Sequence, residues 1–267
     1  MSRGFDQTTL FVIYCIRNKC SEEYMLMVFL AALGVGGATV IGGVIGFFIK
    51  KTPKRFFDLT ISFAAGIMLA AAVWGLLVPS MGEAGLGEVV VTVAGLLAGA
   101  LLIGVCERML PSLRFVTGDK AGNEVDGALK LLLAMAVHNL PEGIAAGVSF
   151  GSGDVGSALS VAGGIALQNL PEGMVIIPPM LAAGISRRRA FLLAAFTGLT
   201  EVVGTFIGYK AVVFFGGILS FSLAFAGGAM IYVIADEMMP RAREQGRLGV
   251  YSFVVGICTM LFLNTAI

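Results

Sequence analysis

Apolar residues fall along the chain in eight long runs, at about 25–49, 59–79, 86–108, 128–150, 156–182, 189–210, 213–236 and 248–266. Short polar or Pro/Gly-marked links such as Lys50-Lys51-Thr52-Pro53-Lys54-Arg55 separate them. Crossing the hydrocarbon core takes about 20 mostly apolar residues in a helix. Strands of a membrane barrel are shorter and alternate, and these runs do neither. The pattern predicts an all-α integral membrane protein with eight transmembrane helices. Residues 1–24 precede this bundle and residues 25–267 form it. Within the leading segment residues 8–17 are apolar, but they are too short to cross and no cleavage site follows them.

Composition agrees, with 57% hydrophobic and only 13% charged residues, against about 25% charged in a soluble domain. The 37 glycines suit helices packed closely in a membrane. Net charge is +1, which gives no electrostatic basis for nucleic-acid binding. The lipid bilayer is the expected surround. Basic residues give the orientation. Fourteen of the 18 Lys and Arg residues lie in or beside the links after spans one, three, five and seven. The other four are Arg3, Arg17, Lys19 and Lys210, on the opposite side. Both termini are therefore expected to be extracytoplasmic, and residues 1–24 with them.

Two near-identical hexapeptides break the apolar pattern: His138-Asn139-Leu140-Pro141-Glu142-Gly143 in span four and Gln168-Asn169-Leu170-Pro171-Glu172-Gly173 in span five. Ionisable groups at membrane depth mark functional sites. Residues four apart share a helix face, so His138 pairs with Glu142 and Gln168 with Glu172. Facing each other, they offer one imidazole nitrogen, two carboxylates and one amide oxygen, a four-ligand set for a divalent transition metal. Asn139 and Asn169, one residue on, line a neighbouring position together with Glu201 of span six. Each proline frees a carbonyl, of Val137 or Leu167, which requires a buried or polar surround. Asp236 and Glu237 end span seven on the basic side, as an exit point. A motif repeated in two antiparallel spans suggests an inverted repeat with its axis in the membrane plane, the arrangement of secondary transporters.

The paired hexapeptides resemble those of the ZIP (Zrt/Irt-like) divalent metal transporters, and of their prokaryotic GufA-like branch in particular. Supporting stretches are Ser62-Phe63-Ala64-Ala65-Gly66-Ile67-Met68-Leu69, Ser186-Arg187-Arg188-Arg189-Ala190-Phe191 and Ala229-Met230-Ile231-Tyr232-Val233-Ile234-Ala235-Asp236-Glu237-Met238-Met239-Pro240. The resemblance implies eight helices, both termini outside, and uptake into the cytoplasm of Zn²⁺, with Fe²⁺, Mn²⁺ or Cd²⁺ as further substrates. It implies a first metal position at His138, Glu142, Gln168 and Glu172 and a second at Asn139, Asn169 and Glu201, with one glutamate bridging. It implies no prosthetic group, since the metal is cargo. It also implies a multi-pass protein of the cell membrane and, as in many members, a homodimer. Two departures stand out: residues 109–127 hold no His, and Gln168 and Asn169 replace the His or Asp common in the family.

The alternative class is an intramembrane metal-dependent enzyme using the same residues with an open coordination position. No His-Glu-x-x-His pattern or neighbouring nucleophile supports it, and the two-fold repeat favours transport. A proton- or sodium-coupled carrier of an organic solute would want a larger polar cavity. Of the four cysteines, Cys106 and Cys258 lie within apolar spans, while Cys15 and Cys20 could pair outside.

Overall fold

The computed structural model describes residues 20–48, 54–82, 85–109 and 123–266, and every regular element among them is helical. Helix α1 is Cys20–Phe48. Helix α2 starts as Lys54–Ala70, passes through a π-helical stretch, Ala71–Leu77, and ends at Ser80. Helices α3 to α6 are Leu86–Met109, Asn123–Gly151, Val155–Ala182 and Arg187–Phe214. Helix α7 starts as Leu219–Val233, passes through a second π-helical stretch, Ile234–Met238, and ends at Glu244. Helix α8 is Arg247–Ala266. All but α4 and α5 are long and apolar enough to cross a membrane. Those two carry the hexapeptides.

The eight helices cover the eight apolar runs, with α1, α2 and α4 each starting five residues ahead of theirs; the larger departures are around α7. The expected start at 213 is displaced: α6 continues to Phe214, and a short turn, Gly216–Ile218, precedes Leu219. The run Val212-Val213-Phe214-Phe215 carries no stop signal, and the break falls at Gly216-Gly217. At the other end Asp236 and Glu237 do not terminate the helix. They lie inside its π-helical stretch, six or more residues before Glu244. Residues 1–19, with Cys15, and the basic residues Lys50, Lys51, Arg114 and Lys120 lie outside the described residues.

Connections follow ordinary local chemistry. Asp154 caps α5 by accepting the Ser157 N–H across 3.2 Å. Gly184, just past the end of α5, has φ +80°, a backbone conformation that favours glycine.

Glycines set the packing. A β-carbon on Gly143 or Gly147 of α4 would collide with the carbonyl of Glu201 or Thr205 of α6. The contacts advance together along both chains, so α4 and α6 run parallel with touching backbones. Gly42 and Gly46 of α1 meet the carbonyls of Leu170 and Met174 of α5 in the same way. Such close approach is how helices associate where hydrophobic burial offers little.

These contacts come in matched sets. Gly36 of α1 and Gly198 of α6 each lie against the other's carbonyl. Gly66 of α2 lies on the Phe253 carbonyl of α8, and Gly256 on that of Phe63. Correspondingly, Gly228 of α7 lies on the Leu96 carbonyl of α3, and Gly99 on that of Phe225. Helices α1, α2 and α3 thus make the contacts that α6, α7 and α8 make, with α4 and α5 exchanged. Each π-helical stretch also ends two residues before a proline, Pro79 or Pro240. Within the first, Gly75 is buried against the Val161 side chain of α5.

Candidate metal centre

Helices α4 and α5 carry His138, Asn139, Glu142, Gln168, Asn169 and Glu172 through the middle of the bundle, and α6 adds Glu201. None is more than 5% exposed. Burying so many polar groups away from water demands partners for them. The glycine after each Pro-Glu makes this possible: Gly143 brings α4 onto the backbone of α6 at Glu201, and Gly173 brings α5 onto that of α1 at Thr39. Pro141 and Pro171 sit within continuous helices.

The side chains form two groups. In one, Glu201 accepts from Asn139 Nδ2 and Thr39 Oγ1 at Oε1, at 2.5 and 2.6 Å, and from Asn169 Nδ2 at Oε2, at 2.5 Å. In the other, Gln168 Nε2 donates to Glu142 Oε1 across 2.8 Å. His138 makes no hydrogen bond to these last two. Its Nε2 lies 3.2 Å from Glu107 Oε1 of α3, and its Nδ1 lies 3.6 Å from Glu237 Oε2 of α7. One ligand atom from each of Glu107, His138 and Glu237 falls within 4.8 Å of the others, an arrangement that suits a metal ion.

A cavity of about 30 Å³ is lined by His138, Glu142, Glu172, Glu237 and Arg241 among others. A larger one of about 580 Å³, lined by Asp58 and Glu244, shares Ile61, Val175 and Arg241 with it. Together they lead from the hexapeptides toward the start of α2 and the end of α7. Of the two acidic residues expected there, Glu237 lines the first cavity, whereas Asp236 is exposed and lines neither. Met135 lines the first cavity too.

Two participants, Thr39 and Glu107, escape sequence reading. Thr39 is one small hydroxyl in an apolar span. Glu107 sits beside Arg108 at a span end, where a charge is ordinary.

Among the described residues, four buried side-chain atoms lack a hydrogen-bond partner: Asn139 Oδ1, Glu142 Oε2, Gln168 Oε1 and Asn169 Oδ1. All are oxygens, and all belong to the hexapeptides. An unpaired buried acceptor costs on the order of 1–3 kcal/mol. Four together, beside three carboxylates, make a centre that a divalent cation would complete. Imidazole, carboxylate and amide donors suit a borderline ion such as zinc.

The ZIP Zinc transporter family model matches residues 117–264, more than half of the chain and all of the hexapeptide region. The chain belongs to the ZIP family. It is 35% identical to the zinc transporter GufA of Myxococcus xanthus, over 81% of this chain and 88% of that one. Against the zinc transporter ZupT of Clostridium perfringens (strain 13 / Type A) the identity is 33%, over 88% and 94%. With the zinc transporter ZIPB of Bordetella bronchiseptica it is 31%, over 97% and 88%. These relatives extend the likeness to helices ahead of residue 117. The ZIP chain is a multi-pass membrane protein, and its family is one of transporters, not enzymes.

Proposed function

We propose that the chain takes up divalent transition metal, zinc foremost and iron, manganese or cadmium besides, into the cytoplasm across the cell membrane. The observation that carries this reading is the set of unpartnered buried oxygens at Glu142 and Gln168, next to Glu172 and His138 on a cavity. Relatives named as zinc transporters support the ion, and the donor set fits it. The metal is cargo, and no prosthetic group is invoked.

All eight helices cross the membrane, with residues 1–24 and both termini outside. Parallel partners support the crossings: α1 with α5 and α4 with α6 are helices of like parity, as alternate crossings require. The matched contacts support an inverted repeat, α1–α3 against α6–α8, with α4 and α5 exchanged about the axis. Metal from outside would lose its water to His138, Glu142, Gln168 and Glu172, with Asn139, Asn169 and Glu201 at the adjoining position. Glu237 and Glu107 would draw it through His138 toward Asp58 and Glu244. Alternating exposure of the centre then follows from movement between the matched halves.

The test is uptake of Zn²⁺, Cd²⁺, Fe²⁺ and Mn²⁺ into liposomes holding the purified protein, beside Glu142→Ala and Glu172→Ala. Saturable flux abolished by both substitutions is the expected result. Flux that survives both would refute the assignment of the centre.

A further inference from the structure

We propose that the chain binds an anionic phospholipid at the cytoplasmic turn between α7 and α8. Arg243 and Arg247 take its phosphate, and the outer face of α8 takes an acyl chain. A cavity of about 440 Å³ lies at that turn, lined by Arg243, Gly246, Arg247, Val250 and Tyr251. Gly246, at φ +61°, makes the turn tight. A β-carbon on Gly249 would strike the Ala242 carbonyl, so the first turn of α8 is pressed onto the last turn of α7. That contact brings the two guanidinium groups to one cavity.

Among the described residues, no carboxylate lies within ion-pair distance of Arg243 or Arg247. Glu244, next to Arg243 in sequence, lines a different cavity with Asp58 and Arg241. Two unpaired guanidinium groups on a shared cavity suit a phosphate, whose oxygens accept from their planar forks of donors. Tyr251 beside them suits the membrane–water boundary, where an aromatic ring with a polar tip is at home.

The cavity runs on into an apolar stripe. Val250, Tyr251, Val254, Cys258 and Phe262 recur at helical spacing on one face of α8, and all are exposed. A free phosphate would use the cavity alone, whereas a phospholipid uses cavity and stripe together. The corresponding turn of the other half, from α2 to α3, has Glu88 against Gly82 and no Lys or Arg between residues 78 and 92. In the eight-crossing arrangement that turn lies at the outer face and the α7–α8 turn at the inner one, where anionic lipid attracts basic groups. A second copy of the chain, related by an axis normal to the membrane, would instead set these arginines at the depth of their own likeness, and like charges would meet.

Tyr251→Trp in a Trp74→Phe background places the chain's single tryptophan on the cavity. This protein is reconstituted in phosphatidylcholine liposomes, and phosphatidylglycerol or phosphatidylcholine with brominated acyl chains is titrated into both leaflets. Lipid in both leaflets makes the reading independent of orientation. Brominated phosphatidylglycerol is expected to quench at a mole fraction about ten-fold lower than brominated phosphatidylcholine, since each arginine near the surface favours anionic lipid by about five-fold. Arg243→Gln with Arg247→Gln should cut that preference to about two-fold, and Arg243→Lys with Arg247→Lys should keep most of it. Both positions are exposed, so these substitutions leave the core intact. A preference that survives the glutamine pair overturns the proposal, as does equal quenching by the two lipids. Loss of the preference in millimolar inorganic phosphate would mark a soluble-anion site, and no quenching by either lipid would mark a face covered by a second copy; each of these overturns it too.

Discussion

Gln168 Nε2 donates to Glu142 Oε1 across 2.8 Å, joining the two hexapeptides side chain to side chain. At the matching place on α4 stands His138, which turns away to Glu107 and Glu237. The two helices therefore present unlike side chains from like positions. Replacing Gln168 by His adds a second imidazole and a stronger ligand for zinc. Gln168→His is expected to lower KM for zinc roughly ten-fold and to slow turnover, because tight ligation delays release. Zinc titration calorimetry beside liposome uptake separates the two effects.

Glu237 and Asp236 are neighbours in sequence with different surroundings. Glu237 lines the cavity 3.6 Å from His138, while Asp236 is exposed. Glu237→Ala should reduce uptake by about ten-fold, mainly in kcat, if it passes metal onward. Asp236→Ala should stay within about two-fold. Equal losses in both variants would point to a general acidic surface in place of a route.

Gly143 has no space for a methyl group, since the backbone of Glu201 occupies it. Gly143→Ala must push α4 from α6 and is expected to destabilise the fold by about 1–3 kcal/mol. A lower melting midpoint in detergent is the measurement. Uptake should fall further than the loss of folded protein explains, because the same displacement parts Asn139 from Glu201. Gly34, whose β-carbon would meet nothing within 4 Å, is the control, and Gly34→Ala should be silent.

The helices were legible in the chain because runs of 20 or more apolar residues admit few alternatives. The seven polar residues of the centre were legible for the same reason: each interrupts a span where polarity is costly. Their partners were not. The helical period assigns His138 and Glu142 to one face, but it does not say which helix that face meets, and so Glu107 stayed hidden. Thr39 lies 162 residues from Glu201, and nothing local to either marks the pair. The unequal fates of Asp236 and Glu237 depend on a π-helical stretch, where the wider turn alters which residue faces inward.

The matched halves make Gly75 and Glu237 more informative together than apart. Gly66 and Gly228 are counterparts, and counting on from them sets Gly75 opposite Glu237, each inside a π-helical stretch. One is a bare backbone sealed by Val161; the other is a carboxylate facing His138. A carrier whose halves were identical would have two end states related by the two-fold axis and equal in energy. Unequal residues at equivalent places would lift that degeneracy, and in such a carrier a few side chains would set the resting preference of the empty protein. Exchanging them is a way to ask whether that preference can be turned round while the fold stays the same.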